Sequence, residues 1–334
     1  MLSLSPFDIV RPRSFAEAVE FMAEDGSLPL AGGTDLVPNM KHGLFEPKRL
    51  IDLKAVEGGD AIVEEQDMLR VGALCTIDRL AGAKAIRTRF PALAKAAASI
   101  AGPQLRRMGT LGGNICLDTR CVYYNQTYFW RSALGFCLKK DGDVCHVVPG
   151  GKRCVAAASN DTAPILMALG ASVRLLSVRG ERRVRLEEFF KADGVRNTIR
   201  ERDELVTEVL IPYPEAGTWM SYEKLRTRKA IDFPLLGLAM VCRLGDDRTI
   251  EWMRIALNAL GARPRYIGGL DRLVAKRKLD EETSRRVGAQ VYKQTHPLTN
   301  ILGDTQWRRD MAPVLVERAL RHLEPSRERP SAVE

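Results

Sequence analysis

The chain has 334 residues, a length that is typical of two or three domains. Hydrophobic residues make up 45% of it and charged residues 28%, which are the values of a globular protein. They exclude a disordered tail protein, a collagen-like rod and a disulfide-dense mini-domain. The formal net charge of +9 raises the question of a nucleic-acid or acidic partner. Because acidic residues are mixed with the basic ones along most of the chain, we favour a solvated surface and predict no nucleic-acid partner.

The first residues lack a basic segment followed by a long apolar one, so no signal peptide is expected. No apolar run reaches the roughly 18 to 20 residues that a membrane span requires. We therefore expect a cytoplasmic protein without a membrane partner. In that compartment thiols stay reduced, and clustered cysteines more often bind metal or act in redox chemistry than form disulfides.

The first segment, 1–56, alternates helix and strand signals. Ser14 followed by Glu17 is a capping box, which predicts a helix that begins at Phe15. SLPLAGG then predicts a strand that runs into glycines, and RLIDLK at 49–54 predicts another. The order indicates a small βαβ-like unit.

A second unit, 57–214, has the predicted strand MLRVGA, the helix PALAKAAASIAG, the helix TAPILMALG and the strand SVRLLSV. A cysteine-rich segment at about 116–157, with no helical or strand period, interrupts it. In the third unit, 215–334, FPLLGLAMVCRL and IEWMRIALNALG predict paired antiparallel strands, and helices close the chain. We expect the last helix to place Trp307, Met311, Val314 and Leu315 near one face. The predicted fold class is α+β.

Two glycine-rich segments stand out, 31–35 (AGGTD) and 109–114 (GTLGGN). Paired glycines let the backbone approach a ligand and turn consecutive N–H groups toward an anion such as a diphosphate. Neither segment matches the dinucleotide fingerprint or the Walker A loop. For either segment alone, a tight turn is the competing interpretation.

Four motifs in order, LPLAGGTDL, GTLGGNI, SNDTAPILMALGA and YEKLRTRKAIDFPLLGLA, resemble the FAD-binding subunit of the molybdenum hydroxylases, the xanthine dehydrogenase and carbon monoxide dehydrogenase group. The resemblance implies two N-terminal α/β subdomains, 1–56 and 57–214, in a PCMH-type FAD-binding fold. It implies a C-terminal antiparallel-sheet and helix domain at 215–334. It also implies a set of FAD-binding residues: Leu30, Ala31, Gly32, Gly33, Thr34, Asp35 and Leu36, then Gly109, Thr110, Leu111, Gly112, Gly113 and Asn114, and finally Asp161 on the ribose or adenine side and Lys224 near the flavin. From the residues alone, Asp161 is equally a helix N-cap and Lys224 an exposed strand lysine.

Five of the seven cysteines lie between positions 116 and 154. Cys121, Cys137, Cys145 and Cys154 supply four thiolates, the number that a 4Fe-4S cluster takes. A structural zinc site has the same ligand set, and reduced structural cysteines are a third possibility. Cys116 is interpreted as a spare buried thiol, with an exchange of roles with Cys121 left open. Cys75 and Cys242 fall in apolar segments and are interpreted as core residues.

The cysteine-rich segment separates Asn114 from Asp161 by 47 positions, far more than in ordinary members of the family. In this respect the chain resembles the flavoprotein subunits of 4-hydroxybenzoyl-CoA reductases, whose extra loop holds a 4Fe-4S cluster on four cysteines. That resemblance implies electron transfer from reduced ferredoxin through the 4Fe-4S cluster and FAD toward a 2Fe-2S small subunit and a molybdopterin-binding large subunit, where 4-hydroxybenzoyl-CoA is dehydroxylated. It implies a dimer of heterotrimers.

Two alternatives remain open. The first is another molybdenum hydroxylase with outward electron flow, and the second is a zinc-stabilised binding module. Segment 101–158 carries eight Lys or Arg against three Asp. Its basic excess suggests a docking surface for an acidic ferredoxin.

Overall fold

The computed structural model describes residues 3–326, so the ends of the first and third predicted units, 1–2 and 327–334, lie outside the described residues. The strands are β1 (Asp8–Val10), β2 (Ser27–Leu30), β3 (Arg49–Asp52), β4 (Ile62–Glu64), β5 (Met68–Gly72), β6 (Ser172–Ser177), β7 (Gly180–Arg185), β8 (Leu205–Pro212), β9 (Thr218–Leu225), β10 (Leu236–Leu244), β11 (Ile250–Asn258), β12 (Arg265–Tyr266) and β13 (Glu324–Pro325). The helices are α1 (Phe15–Met22), α2 (Leu36–Lys41), α3 (Ile77–Gly82), α4 (Lys84–Arg89), α5 (Pro91–Ala98), α6 (Pro103–Met108), α7 (Leu111–Ile115), α8 (Tyr128–Ala133), α9 (Thr162–Ala168), α10 (Leu186–Phe189), α11 (Leu270–Val274), α12 (Glu281–Gln294) and α13 (Thr305–Arg321).

The first sheet has three parallel strands in the order β1-β3-β2. Helix α1 begins where the capping box predicts, because the Ser14 hydroxyl accepts the N–H of Glu17 at 3.1 Å. The Glu17 carboxylate accepts the N–H of Arg13 at 2.7 Å, one residue before the usual capping-box donor. Val19 and Met22 then bury one face of α1 beside Ile51 of β3. Strand β2 of this sheet ends at Leu30, and the first glycine-rich segment follows it directly.

The second sheet has five antiparallel strands in the order β4-β5-β8-β6-β7. Alternate residues of β5, among them Leu69 and Val71, are fully buried in a core that also contains helices α3, α5 and α9. This core extends into the third sheet through Ala239 and Val241 of β10. The second and third sheets therefore share buried surface, which fixes the positions of their loops relative to each other.

The third sheet has the order β12-β11-β10-β9-β13 and is antiparallel, as the two long apolar stretches predict. The opposite face of β10, with Leu238 and Met240, packs on α12 and α13. The predicted face of α13 is partly wrong, because Trp307 is 43% exposed while Arg308 is fully buried. The Arg308 guanidinium donates to the backbone carbonyls of residues 235, 259 and 298, and these three acceptors make its burial tolerable.

The cysteine-rich segment leaves and rejoins the fold at one point. Arg120 and Ala157 exchange two backbone hydrogen bonds, of 2.8 and 2.7 Å. Between them the chain forms turns around the short helix α8, which agrees with the absence of any clear period in the sequence. Over residues 3–326, no helix combines the length and the apolar character needed to cross a bilayer.

Candidate functional site

The two glycine loops, 31–35 and 109–114, contact each other although they come from different sheets. A Cβ atom on Gly32 would overlap the carbonyl oxygen of Met108 and would lie 2.9 Å from the amide nitrogen of Gly109. A Cβ atom on Gly109 would lie 3.4 Å from Oγ1 of Thr34. The absence of side chains at these glycines therefore lets the two backbones meet and form one continuous surface.

The first loop offers unused N–H groups. Leu30 ends β2 and Leu36 begins α2. Between them, the N–H groups of residues 32–35 donate to no protein acceptor within the described part of the chain. Gly33 has a φ of +69°, a left-handed conformation that lets neighbouring N–H groups converge. Such a concave row of amides binds an anion, so this loop fits the diphosphate of a dinucleotide.

The second loop uses most of its N–H groups within the protein. The N–H of Leu111 donates to the carbonyl of residue 75 and that of Gly112 to the carbonyl of residue 73. The N–H of Gly113 donates to the Thr110 hydroxyl at 3.1 Å, which caps α7. The prediction that this loop also turns several N–H groups toward a diphosphate is therefore not met. Its glycines fit a packing role, since a Cβ on Gly112 would lie 2.7 Å from that of Ala73.

Asn114 joins the second loop to the segment that follows the insert. Its Oδ1 accepts the N–H of Thr162 at 3.2 Å and the Thr162 hydroxyl at 2.6 Å. This bond satisfies a donor at the start of α9. Two motifs that lie far apart in the sequence are thereby held in contact.

Asp161 and Lys224 form one buried ion pair, with 2.9 Å between Oδ2 and Nζ and side chains 4% and 3% exposed. The Tyr222 hydroxyl donates to the other Asp161 oxygen at 2.7 Å. Burial raises the pKa of Asp161, and the neighbouring Lys224 and Tyr222 oppose the shift. Burial also disfavours the charged form of Lys224 and therefore lowers its pKa.

This pair corrects two expectations. The Asp161 side chain does not cap α9, and Lys224 is not an exposed strand lysine. The two side chains touch in this structure, whereas the resemblance places Asp161 on the ribose or adenine side of FAD and Lys224 near the flavin.

The four candidate ligands, Cys121, Cys137, Cys145 and Cys154, line one small cavity of about 20 Å³. Cys116 instead packs against the core of the second sheet. Burial raises the pKa of the Cys121 thiol to about 11, and the three other thiols add to the shift. Within residues 3–326, no group of three or more His, Cys, Asp or Glu side chains is arranged around a position for a metal ion.

The surroundings of the cavity suit a group bound through sulfur. The N–H of Ala156 donates to Sγ of Cys154 at 3.5 Å, and the N–H of Tyr123 donates to Cys121. A Cβ on Gly194 would lie 2.6 Å from Sγ of Cys154, so this glycine makes room for the thiol. N–H donors to sulfur are one of the means by which proteins adjust iron–sulfur clusters. The four cysteines have the composition that a 4Fe-4S cluster or a structural zinc ion takes, although their thiols are not gathered around one metal position among the described residues.

Part of the basic excess of segment 101–158 is buried rather than at the surface. Arg131 and Lys139 are buried and paired with Asp141 at 3.2 Å and Asp118 at 2.6 Å. Arg120, also buried, pairs with Asp35 of the first glycine loop. Burial lowers its pKa to about 10. Three of the eight cations are thus paired inside the fold, while Arg107, Lys152 and Arg153 remain exposed, so a docking surface for an acidic ferredoxin stays a prediction on a smaller set of residues.

Arg120 is the residue that sequence reasoning missed. It directly precedes Cys121 in the sequence, and its guanidinium lies 4.7 Å from the centroid of the Phe233 ring. It therefore connects the first glycine loop, the cysteine cavity and the third sheet. The insert also exposes several large apolar side chains, which are Tyr128, Phe129, Trp130, Leu134 and Val144.

Comparisons with known proteins agree with this architecture. Residues 5–214 match the FAD binding domain in molybdopterin dehydrogenase, and residues 220–323 match the CO dehydrogenase flavoprotein C-terminal domain. The carbon monoxide dehydrogenase medium chain of Hydrogenophaga pseudoflava is 31% identical, over 94% of this chain and 96% of that one. The nicotinate dehydrogenase FAD-subunit of Eubacterium barkeri is 26% identical, over 84% and 83%. A structure of the Cu,Mo-CO dehydrogenase in its cyanide-inactivated form has a TM-score of 0.79 at 26% identity, over 96% and 98% of the two chains.

Proposed function

Because the chain belongs to the FAD-binding subunits of the molybdenum hydroxylases, we propose that it transfers electrons between a 4Fe-4S cluster in its insert and FAD at its first glycine loop. The observation that carries the proposal is the convergence of Cys121, Cys137, Cys145 and Cys154 on one cavity. Four thiols that share a cavity, three of them buried, supply the ligand number of such a cluster. Because the chain belongs to this oxidoreductase family, we do not pursue the alternative of a zinc-stabilised binding module.

The residues of this chain would hold and orient the two cofactors. When bound, FAD exchanges two electrons overall and can release or accept them singly, which matches one-electron iron–sulfur partners. The N–H groups of residues 32–35 would bind the diphosphate. Arg120 would keep this loop and the cysteine cavity in a fixed relation, since its guanidinium holds Asp35 while its backbone adjoins Cys121. The buried Asp161–Lys224 pair would support the region beside the second loop, since Asn114 of that loop holds Thr162, the residue after Asp161.

Within this role we propose the reductive direction of flow. A reduced ferredoxin in the cytoplasm would supply single electrons to the insert, and FAD would pass them to a 2Fe-2S small subunit and a molybdopterin-binding large subunit. There, 4-hydroxybenzoyl-CoA would take up two electrons and two protons and lose its hydroxyl as water, giving benzoyl-CoA. The insert supports this proposal, because a further cluster near the surface gives a one-electron donor an entry point. We propose a dimer of heterotrimers.

A second candidate keeps FAD and reverses the flow. The similar proteins from H. pseudoflava and E. barkeri are named as dehydrogenases, and a dehydrogenase passes substrate electrons outward. The two candidates differ in a direct assay. Under anaerobic conditions, reduced ferredoxin and 4-hydroxybenzoyl-CoA should give benzoyl-CoA. Failure with this substrate, together with reduction of the flavin by an aldehyde or N-heterocycle, would favour the second.

The cofactor proposal is tested on the complex purified without oxygen. We expect a flavin spectrum with a broad iron–sulfur shoulder, and about four iron atoms per chain beyond those of the 2Fe-2S subunit. Cys137→Ser should lose these iron atoms and keep FAD. Cys116→Ser is the matched control, because Cys116 is half-buried and packs against the core of the second sheet without lining the cavity, and it should keep both. Zinc in place of iron, or unchanged iron in Cys137→Ser, would refute the cluster.

A further inference from the structure

Lys139 is a buried cation on the wall of the cysteine cavity. Its side chain is 5% exposed, and it lines the cavity together with the four cysteines. Among the described residues that line this cavity it is the one Lys or Arg. A lysine is seldom buried so completely without a specific anionic partner.

The position of its ammonium group is fixed from several sides. Nζ donates to Oδ1 of Asp118 at 2.6 Å and to the carbonyl of Thr119 at 3.2 Å. It also lies 4.3 Å from the centroid of the Tyr124 ring, a contact that is favourable for a cation. These contacts hold the charge at one place relative to the cavity.

The cavity needs such a charge if it holds the proposed cluster. The iron ions of the proposed cluster would offset only part of the negative charge of its thiolates and sulfides, so the site would stay net negative, and uncompensated buried charge is costly. Coulomb energies also act over longer distances inside a protein than in water, because the effective dielectric constant is lower. Each electron that enters the site adds one more negative charge.

We propose that Lys139 sets the reduction potential of the cluster in the insert, and that Asp118 partly offsets its effect. The inference rests on the proposed 4Fe-4S function. In the step concerned, a reduced one-electron carrier gives one electron to the site and is itself oxidised, and the same electron later leaves toward the flavin. No bond forms or breaks. Its fixed charge stabilises the reduced form more than the oxidised form.

The test is a redox titration of the anaerobic complex, followed by the electron paramagnetic resonance of the reduced cluster. Lys139→Met removes the charge and keeps much of the side-chain volume. At a fixed potential, the ratio of reduced to oxidised cluster should fall by about tenfold or more, which is ~59 mV for a one-electron couple. Lys139→Arg keeps the charge and should stay close to the wild-type potential.

Lys140→Met is the matched control. Lys140 is the neighbouring lysine, its side chain is 30% exposed, and it lies 3.5 Å from Asp141 at the surface. Solvent screens its charge, so its loss should leave the potential unchanged. Lys139→Met with full iron content and the wild-type potential would overturn the proposal, as would an equal shift in Lys140→Met.

A second variant covers the case in which Lys139→Met fails to bind iron. Asp118→Asn removes the offsetting charge and keeps Lys139, so the potential should shift in the opposite direction, toward easier reduction. An unchanged potential there refutes the role of Lys139. If the wild-type complex itself contains no 4Fe-4S signal, the proposed function fails, and that result is distinct from a failure of this inference.

Discussion

Replacing Gly32 by alanine tests whether the contact between the two glycine loops shapes the FAD site. The new Cβ would overlap the carbonyl oxygen of Met108 and lie 2.9 Å from the amide nitrogen of Gly109, whereas ordinary contacts begin at 3.4 Å. Both neighbours are backbone atoms, so no flexible side chain can move aside. The loops must therefore separate by at least about 0.5 Å, and by more at the oxygen.

The cost follows from the usual strain of overpacking, about 1 to 3 kcal/mol. If the loops separate to relieve this strain, the same free energy is lost from FAD binding rather than from folding. Since 1.4 kcal/mol corresponds to a tenfold change in Kd, the Kd for FAD should rise roughly 5- to 140-fold. The assay is a titration of the FAD-depleted complex with FAD, followed by flavin fluorescence.

Gly82→Ala is the control for this experiment. A Cβ at Gly82 meets no atom within 4 Å, and its backbone is in the ordinary helical region at the end of α3. FAD affinity should be unchanged there, and stability should stay the same or rise slightly. A Gly32→Ala complex that binds FAD as tightly as the wild type would refute the reasoning that the loop contact forms the site.

Three further predictions concern buried groups. Lys224→Met leaves Asp161 buried without its cation and should lower the free energy of unfolding, measured by urea denaturation, by about 3 to 5 kcal/mol. The double variant with Asp161→Asn should regain most of that lost stability. Gly194→Ala places a Cβ 2.6 Å from Sγ of Cys154, so iron content should fall while flavin content stays constant. Arg182 hydrogen-bonds the Glu204 carboxylate and lowers its pKa below the ordinary 4.5. The stabilisation that this pair gives the fold is therefore present above pH 4.5 and is lost as the pH falls. Glu204→Gln should therefore show a shallower loss of thermal stability between pH 6 and 3.

Each of these predictions has a result that contradicts it. Equal urea midpoints for Lys224→Met and the wild type would mean that the ion pair does not stabilise the fold. Full iron content in Gly194→Ala would show that Cys154 can move away from the new Cβ without loss of iron binding. Parallel pH profiles for Glu204→Gln and the wild type would remove Glu204 from the account of acid stability.

Local and periodic signals in the sequence predict much of the fold. The capping box at Ser14 and Glu17 places the start of α1, because capping depends on neighbours three residues apart. The apolar stretches that contain Met240 and Ile255 predict two paired strands, since strands buried on both faces are apolar throughout. The α+β class and its division between FAD-binding and C-terminal parts are confirmed by the family matches.

The polar interior could not be predicted in the same way. The sequence alone favours an exposed position for Arg120, Lys139 and Arg308, because isolated basic residues usually lie at the surface. Each is buried since other segments supply its acceptors: an aspartate of the first glycine loop for Arg120, a neighbouring turn for Lys139, and backbone carbonyls for Arg308. Such partners lie at no fixed spacing, so no periodic pattern reveals them.

The paired backbone hydrogen bonds between Arg120 and Ala157 bring the two ends of the cysteine-bearing segment together at adjacent positions. For a loop that is closed in this way, added length costs only slightly more chain entropy. The segment is also held to the rest of the fold, because the N–H of Val122 donates to the carbonyl of Asn300 and the Arg131 guanidinium donates to the carbonyl of Gly43. A change in the length of this segment should therefore be tolerated only where it leaves these contacts in place.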